Sequence, residues 1–489
     1  MKLYKNIKLS WVSLVLVTMT IACTDDFDEV NTNPNGPTEV PAELLMPAII
    51  ERTSDQIYST FVGGDMGNCW VQLWSKVQYN DEERYQPRGT SLDGVWNTLY
   101  AGNGTTTSTG PLTDAKVMLQ LAIEEDNANL QGIAKVMTAY VYSILTDVYG
   151  DIPFTEALQA KDGINNPAYT PQSEIYPALL VMLDEANAQL SADGGSISAT
   201  SDIMYGGDYL KWKKFANSLK FRLLMRMSSR SDFNRQSELQ ELIDNRVMFT
   251  SNSDEAKLVY LSAAPNTNPM YSTIIAGNRG EFKVSSVLVD ELSATNDPRL
   301  SVYADLNADG IYRGKPAGIS DVPNAEYNYD NVSPIGSFYL QPETPGYFLS
   351  YAELELLIAE AAHRGLITGQ SASAHYNAGI MASMEANGLT SAEYGSYLSN
   401  NAYSSSTGMQ QIGMQKWIAL FGQGIEAWTE WRRTGIPVLS PAIDPISINE
   451  IPSRYPYPPS EQSLNGANYA DAVAIQGPDR LTTKIWWNK

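Results

Sequence analysis

Residues 145–158 read Leu145-Thr146-Asp147-Val148-Tyr149-Gly150-Asp151-Ile152-Pro153-Phe154-Thr155-Glu156-Ala157-Leu158. Upstream of this stretch, Ile133, Val136, Met137, Tyr140, Val141, Ile144, Leu145 and Val148 recur at alternating steps of three and one. That spacing lays a wide apolar stripe along a helix of period 3.6. Gly150 suits the end of such a helix, and Pro153 bars an immediate restart. A preceding run, with Val117, Met118, Leu121 and Ala122 on one side, makes a helix pair of residues 112–149.

The same grammar extends outward. Ser173–Leu190, with Asp184 and Glu185 turned to solvent, pairs with Tyr209–Met227, whose Lys and Arg mark one face and whose Phe, Leu and Met mark the other. Helices return at Ser350–Arg364 with Ser371–Asn387, and over Met409–Arg433. Toward the N-terminus, a first helix is expected from Ala42 to about Tyr58. A second is expected over Asn68–Val77, where Trp70, Val71, Trp74 and Val77 keep helical spacing. Asp81–Leu92 reads as a charged, aromatic-bearing loop, and Trp96–Tyr100 as the start of another helix. Helix pairs of this size predict tetratricopeptide-like stacking, although no strict 34-residue signature is legible. The fold class is therefore mostly α.

Between Met248 and Gly346 the pattern breaks into Gly, Pro, Asn and Tyr, with short strand-like runs at Ala256–Ser262 and Phe338–Gln341. A loop-like stretch of that length inside a helical protein is usually functional or disordered. One large domain over 42–489 results: a helix-pair scaffold at about 42–247 and 347–435, a loop-rich insert at about 248–346, and an irregular C-terminal part at 436–489.

Composition narrows the function. The chain has 489 residues, 43% hydrophobic and 18% charged, as globular proteins do. Its formal charge of −22 repels phosphate backbones, which argues against a nucleic-acid partner. Two histidines argue against a multi-histidine metalloenzyme. The 28 Tyr and 10 Trp outweigh 11 Phe. Such residues combine a flat apolar face with a polar handle and suit surfaces that grip a ligand.

The N-terminus reads as a lipoprotein signal over residues 1–22. Lys2, Lys5 and Lys8 precede an apolar run, Trp11–Ile21, that is too short to span a bilayer. Thr20-Ile21-Ala22 then leads into Cys23, which resembles a lipobox, with Thr20 in place of the usual Leu. Cleavage there would leave a lipidated Cys23 and an acidic, Asn/Pro-rich tether over 23–41. The remaining Cys69 would have no partner, so a disulfide framework is excluded.

Several segments together resemble the SusD/RagB family of surface nutrient-binding lipoproteins. They are the quoted 145–158 stretch, Trp212–Met227, Tyr351–Ala362, Asn296-Asp297-Pro298-Arg299-Leu300 and Glu426–Arg433, in the family's order. The resemblance implies a SusD-like fold, with four tetratricopeptide-like helix pairs and an irregular ligand-binding half. It implies an outer-membrane, lipid-anchored protein facing the cell exterior. It also implies a SusC-like TonB-dependent transporter as partner, an oligosaccharide as ligand, and no catalysis. Some relatives serve oligopeptides, and that alternative stays open. So do a surface glycoside hydrolase, whose carboxylate pair cannot be found by spacing alone, and a purely gating partner of the transporter.

Glycan sites stack sugar faces on Tyr and Trp and bind hydroxyls with amides and Arg. The loops supply candidates: Tyr79, Arg84, Tyr85 and Trp96; Asn266, Tyr271, Asn278 and Arg279; Tyr327 and Tyr329. Asp147, Tyr149, Asp151 and Glu156, in the family-like stretch, read as scaffold. No cofactor is required, but Asp305-Leu306-Asn307-Ala308-Asp309-Gly310-Ile311 opens like a calcium loop. Asp305, Asn307, Asp309 and the Ile311 carbonyl would be its ligands, while Pro316 stands where the closing Glu belongs. The other reading of this segment is a plain Asx-rich turn. Gly422-Gln423-Gly424-Ile425-Glu426-Ala427 fits G-x-G-x-x-A but follows no strand, so it carries no dinucleotide site.

Overall fold

The helix that the 145–158 stretch terminates runs Ala128–Tyr149, and its last fifteen residues are almost wholly buried. Gly150 ends it at φ +87°, and a Cβ there would collide with the side-chain amide of Gln476. Only glycine fits both demands. The computed structural model describes residues 40–102, 109–320 and 325–489, and Ala42–Lys489 gather into one unit.

Antiparallel helix pairs form the scaffold. Pro111–Glu124 packs on Ala128–Tyr149, which packs on Gln172–Gln189, which packs on Tyr209–Met227. Tyr351–His363 then packs against Ala372–Ala386 and against Gly408–Ala419. One continuous core runs through them, and a smaller cluster around Leu356, Tyr376 and Ile412 lies under the later pairs. Among the described residues, no helix is long and apolar enough to cross a membrane.

The family-like segments meet as a buried ionic frame. Arg222 makes a two-pronged bond to Glu353, at 2.7 and 2.6 Å. Arg226 reaches Glu426 at 2.5 Å. Glu360 takes Arg433, Lys416 and Arg364 at 2.5 to 2.8 Å. Burial opposes ionisation of Glu360, yet Arg433 and Lys416 hold its carboxyl well below the usual range. Asp147 accepts from the Trp487 indole at 2.8 Å, and Asp151 from the amide of Gln172 at 2.8 Å. Tyr149 donates to the Leu92 carbonyl, and Glu156 accepts the amide of Ala168. Asp147, Tyr149 and Asp151 fasten helix ends to their neighbours, and Glu156 joins two loops. The G-x-G-x-x-A run is explained here too: a Cβ on Gly424 would strike the carbonyl of Gly63.

Among the described residues, three two-stranded sheets interrupt the helices: β1 (Trp74–Lys76) with β5 (Phe282–Val284), β2 (Ile152–Pro153) with β3 (Tyr169–Thr170), and β4 (Ala256–Leu258) with β6 (Gly346–Leu349). All pair antiparallel. The first corrects the expected helix over Asn68–Val77. A wide helical turn, Thr60–Asn68, ends there, Gln72 takes φ +57°, and the chain leaves extended. Phe338–Gln341 is likewise a single tight helical turn, Ser337–Leu340, rather than a strand. The Met409–Arg433 stretch is broken in two, Gly408–Ala419 and Gly424–Thr434, at Gly422 (φ +81°). Two regions read as irregular hold helices: Ser286–Ala294 in the insert, and Pro459–Leu464 with Gly466–Gln476 near the C-terminus.

Candidate functional site

Pairing of β1 with β5 sets Trp74 opposite Val284 and Lys76 opposite Phe282. The ladder runs one step further, where the Val77 amide donates to the Glu281 carbonyl at 2.9 Å. Residues 78–79 therefore emerge from the sheet end beside residues 278–280. Tyr79 leaves it in a left-handed conformation, at φ +53°, as does Asn278 at φ +51°. Such backbone is costly for a residue with a side chain and clusters at functional sites. Tyr79 is 55% exposed.

Arg279 lies over the Tyr79 ring, its guanidinium carbon 5.4 Å from the centroid. Its Nε is 2.7 Å from the Glu281 carboxylate, and that hydrogen bond raises the Arg279 pKa further. Tyr329, 44% exposed, closes the other side. Its hydroxyl donates to the Gln78 side-chain oxygen at 2.9 Å. Lys283 donates to the Tyr329 carbonyl at 2.9 Å and stands 5.7 Å from its ring. Burial lowers the Lys283 pKa, while burial, Glu281 and Tyr79 raise that of Tyr329. The result is a platform of two exposed phenol rings held by two cations and rimmed by the amides of Gln78 and Asn278. Rings of this kind stack on the C–H face of a sugar, and the rim can bond hydroxyls.

Of the sequence candidates, Tyr79, Arg279 and Tyr329 meet here, with Asn278 exposed next to Arg279. Tyr327 lies on the turn before Tyr329, with Arg313 5.1 Å from its ring centroid. Asn266 and Tyr271 are half-buried on the segment leading to Asn278, and among the described residues no side-chain hydrogen bond ties them to the platform. Arg84 donates to the Asp444 carbonyl at 2.7 Å and braces the C-terminal loop.

Two candidates belong to the interior. Tyr85 is only 2% exposed; its hydroxyl accepts the Ala442 amide at 2.7 Å, and burial pushes its pKa up to about 12. Trp96 is 5% exposed, in the helix Gly89–Tyr100, with its ring against Tyr100, Tyr149, Tyr169 and Tyr457. Both are polar-handled aromatics whose handles or edges are satisfied by the core itself, a role that local sequence does not reveal. Sequence reasoning missed Gln78, Glu281 and Lys283. Their signal is faint, since a three-residue strand shows no alternation.

In the calcium-like loop, the Asn307 side-chain oxygen accepts the amides of Asp309 and Ile311 at 3.0 and 3.1 Å. The Ile311 carbonyl accepts the Asn307 amide at 3.0 Å, and Asp305 accepts the Ser337 amide at 3.0 Å. This is the geometry of an Asx turn. Among the described residues, no three His, Cys, Asp or Glu groups gather as a metal site. Cys23 and the tether lie outside the described residues, apart from Val40 and Pro41.

No curated protein matches the chain. A solved chitin-binding protein matches with 29% identity and a TM-score of 0.82, over 92% of this chain and all of its own. A chitin-binding SusD homologue from Flavobacterium johnsoniae matches at 24% identity and TM-score 0.72, covering 92% of this chain and 98% of that one. A SusD homologue from Bacteroides fragilis matches at 24% and 0.77, over 92% of this chain and all of its own. The SusD-like_2 family, described as starch-binding and associating with the outer membrane, matches residues 34–458. With most of its length matched and a mostly helical SusD-like architecture, this chain belongs to the SusD-like family.

Proposed function

We propose that this protein is a cell-surface lipoprotein that binds an oligosaccharide nutrient on the Tyr79–Tyr329 platform and delivers it to a TonB-dependent transporter of the SusC kind. The observation that carries the reading is the platform itself: two exposed rings, side by side, backed by Arg279 and Lys283 and edged with amides. A ring left in water on strained backbone, as at Tyr79, is poorly explained by stability alone. The chitin-binding relative at 29% identity makes chito-oligosaccharides the first ligands to test. A binding role fits better than hydrolysis, because Glu281, the acid beside the rings, is committed to Arg279. Lipidation at Cys23 would tether the protein, and the acidic segment after it would stand off an anionic lipid surface.

The test is to isolate the full-length protein from outer membranes in mild detergent and identify what accompanies it. A TonB-dependent barrel with bound oligosaccharide is the expected result. The same barrel carrying peptides would replace the ligand class, and the absence of any barrel would overturn delivery. Replacement of Cys23 by Ala should release the protein from the membrane fraction.

A further inference from the structure

A second cavity shares no residue with the platform. It encloses about 250 Å³ between β4, β6 and the ends of the helices Ala372–Ala386 and Gly408–Ala419. An engineered apolar cavity of about 150 Å³ already holds benzene, so this one takes a six-membered ring with its substituents. Tyr339 and Phe421 form one wall, their rings edge-on at 4.9 Å. Val259 and Phe338 line it too and are 56% and 47% exposed, so the cavity opens to solvent at an apolar lip.

Its polar groups divide into the satisfied and the waiting. Lys257 is paired with Glu255 at 3.0 Å, so no cation is left for an anionic ligand. Asn387 accepts the Tyr339 hydroxyl at 2.6 Å and donates to the Ser383 carbonyl at 2.7 Å. By contrast, among the described residues, the Tyr347 hydroxyl and the Gln423 side-chain amide make no hydrogen bond, and both half-buried residues line the cavity. A wholly apolar guest would take water from both groups and give no partner back, which is unfavourable. A charged guest has no counter-ion here. A neutral ring with one flat apolar face and several hydroxyls answers both constraints.

We infer that this cavity is a second binding site, taking a single pyranose ring, separate from the platform. The inference rests on the glycan reading above but concerns different residues. The platform offers a long chain an open surface, whereas the cavity admits only one ring, a free monosaccharide or a chain end. Shape and polar complement set its ligand: neutral, one ring, hydroxyl-bearing.

The experiment titrates N-acetylglucosamine, glucose, galactose and mannose into three proteins, by saturation-transfer NMR and calorimetry. These are the wild type, the platform variant Tyr79→Ala/Tyr329→Ala, and the cavity-filling variant Ala386→Phe. At least one monosaccharide should bind the wild type and the platform variant within about twofold, and bind at least tenfold more weakly to Ala386→Phe. If Ala386→Phe fails to fold, Tyr347→Phe/Gln423→Ala replaces it with the same expectation. Loss of monosaccharide binding in the platform variant, or its persistence in the cavity variants, overturns the second site. So does a wild type that binds chitohexaose but no monosaccharide, and that result leaves the platform reading intact. Failure of the wild type to bind either a monosaccharide or any oligosaccharide overturns both.

Discussion

The guanidinium of Arg222 grips the carboxylate of Glu353 with two hydrogen bonds, at 2.7 and 2.6 Å, inside the core. One residue comes from the Tyr209–Met227 helix and the other from Tyr351–His363, on either side of the loop-rich insert. The pair therefore closes the scaffold around that insert, and its bond is a relation between two sequence motifs rather than a local cap. Removing one partner strands the other charge. Glu353→Ala should cost about 3–5 kcal/mol, read as a lowered denaturation midpoint. The double variant Arg222→Met/Glu353→Leu should recover much of that loss, since a buried ion pair can often be replaced by apolar residues of similar volume. A single variant of wild-type stability would show that the pair does not join the two halves.

Asp55 gives the fold a pH dependence. Its side chain is exposed on the Met46–Ile57 helix, with Tyr260 donating to it at 3.0 Å, and partial desolvation there pushes its pKa up to about 6. In the unfolded chain it would titrate near 3.9. The folded state thus holds a proton that the unfolded state has released, so Asp55 favours folding at low pH. That contribution fades as pH rises from about 4 to about 6, and solvent screening of the exposed carboxylate keeps it small. Asp55→Asn should remove this slope and be relatively more stable than wild type above pH 6. Melting curves at pH 4.5 and 8 give the comparison, and an unchanged slope in the variant would refute the assignment.

The two interior aromatics should behave differently from the platform. Trp96→Ala and Tyr85→Ala each empty a filled core position and should cost about 3–5 kcal/mol. Tyr79→Ala and Tyr329→Ala remove exposed rings and should change stability by well under about 1 kcal/mol. Thermal melting of the four variants separates the classes. A platform variant that melts as early as Trp96→Ala would mean that its ring is structural.

How much of this was readable in advance depended on range. The helix Tyr209–Met227 is legible end to end, because its own periodicity and the capping Asp208 are local signals, the Asp208 carboxylate accepting the Leu210 amide at 2.9 Å. The helix Ser286–Ala294 carries a comparable cue, Ser285 capping the Leu288 amide, yet the Gly- and Asn-rich surroundings hide it. Trp74 misleads for the opposite reason: its spacing from Trp70 and Val77 is helical, but pairing with Val284 overrides it. The site follows the same rule. Tyr79, Arg279 and Tyr329 could be chosen as residue types, but their meeting depends on a strand pair between distant segments. Tyr85 shows the limit, since a loop tyrosine among charges looks exposed until the Ala442 loop folds over it.

The calcium-like loop gives a simple check. Asn307 holds two amides of its own turn, so Asn307→Ala should loosen the loop by about 1 kcal/mol. Millimolar calcium should leave the wild-type melting temperature unchanged, because the Asn307 and Ile311 oxygens are already bonded. A rise of several degrees with calcium would mean that the loop reorganises around the ion.

On the proposed function, an oligosaccharide lies across the exposed Tyr79–Tyr329 pair. Calorimetric titration of chitohexaose, alongside maltohexaose and cellohexaose, into wild type and Tyr79→Ala/Tyr329→Ala tests it directly. Loss of two stacking rings should weaken oligosaccharide binding at least tenfold while the melting temperature stays within a degree or two. Equal affinity in the two proteins would overturn the platform as the binding surface and move the ligand elsewhere.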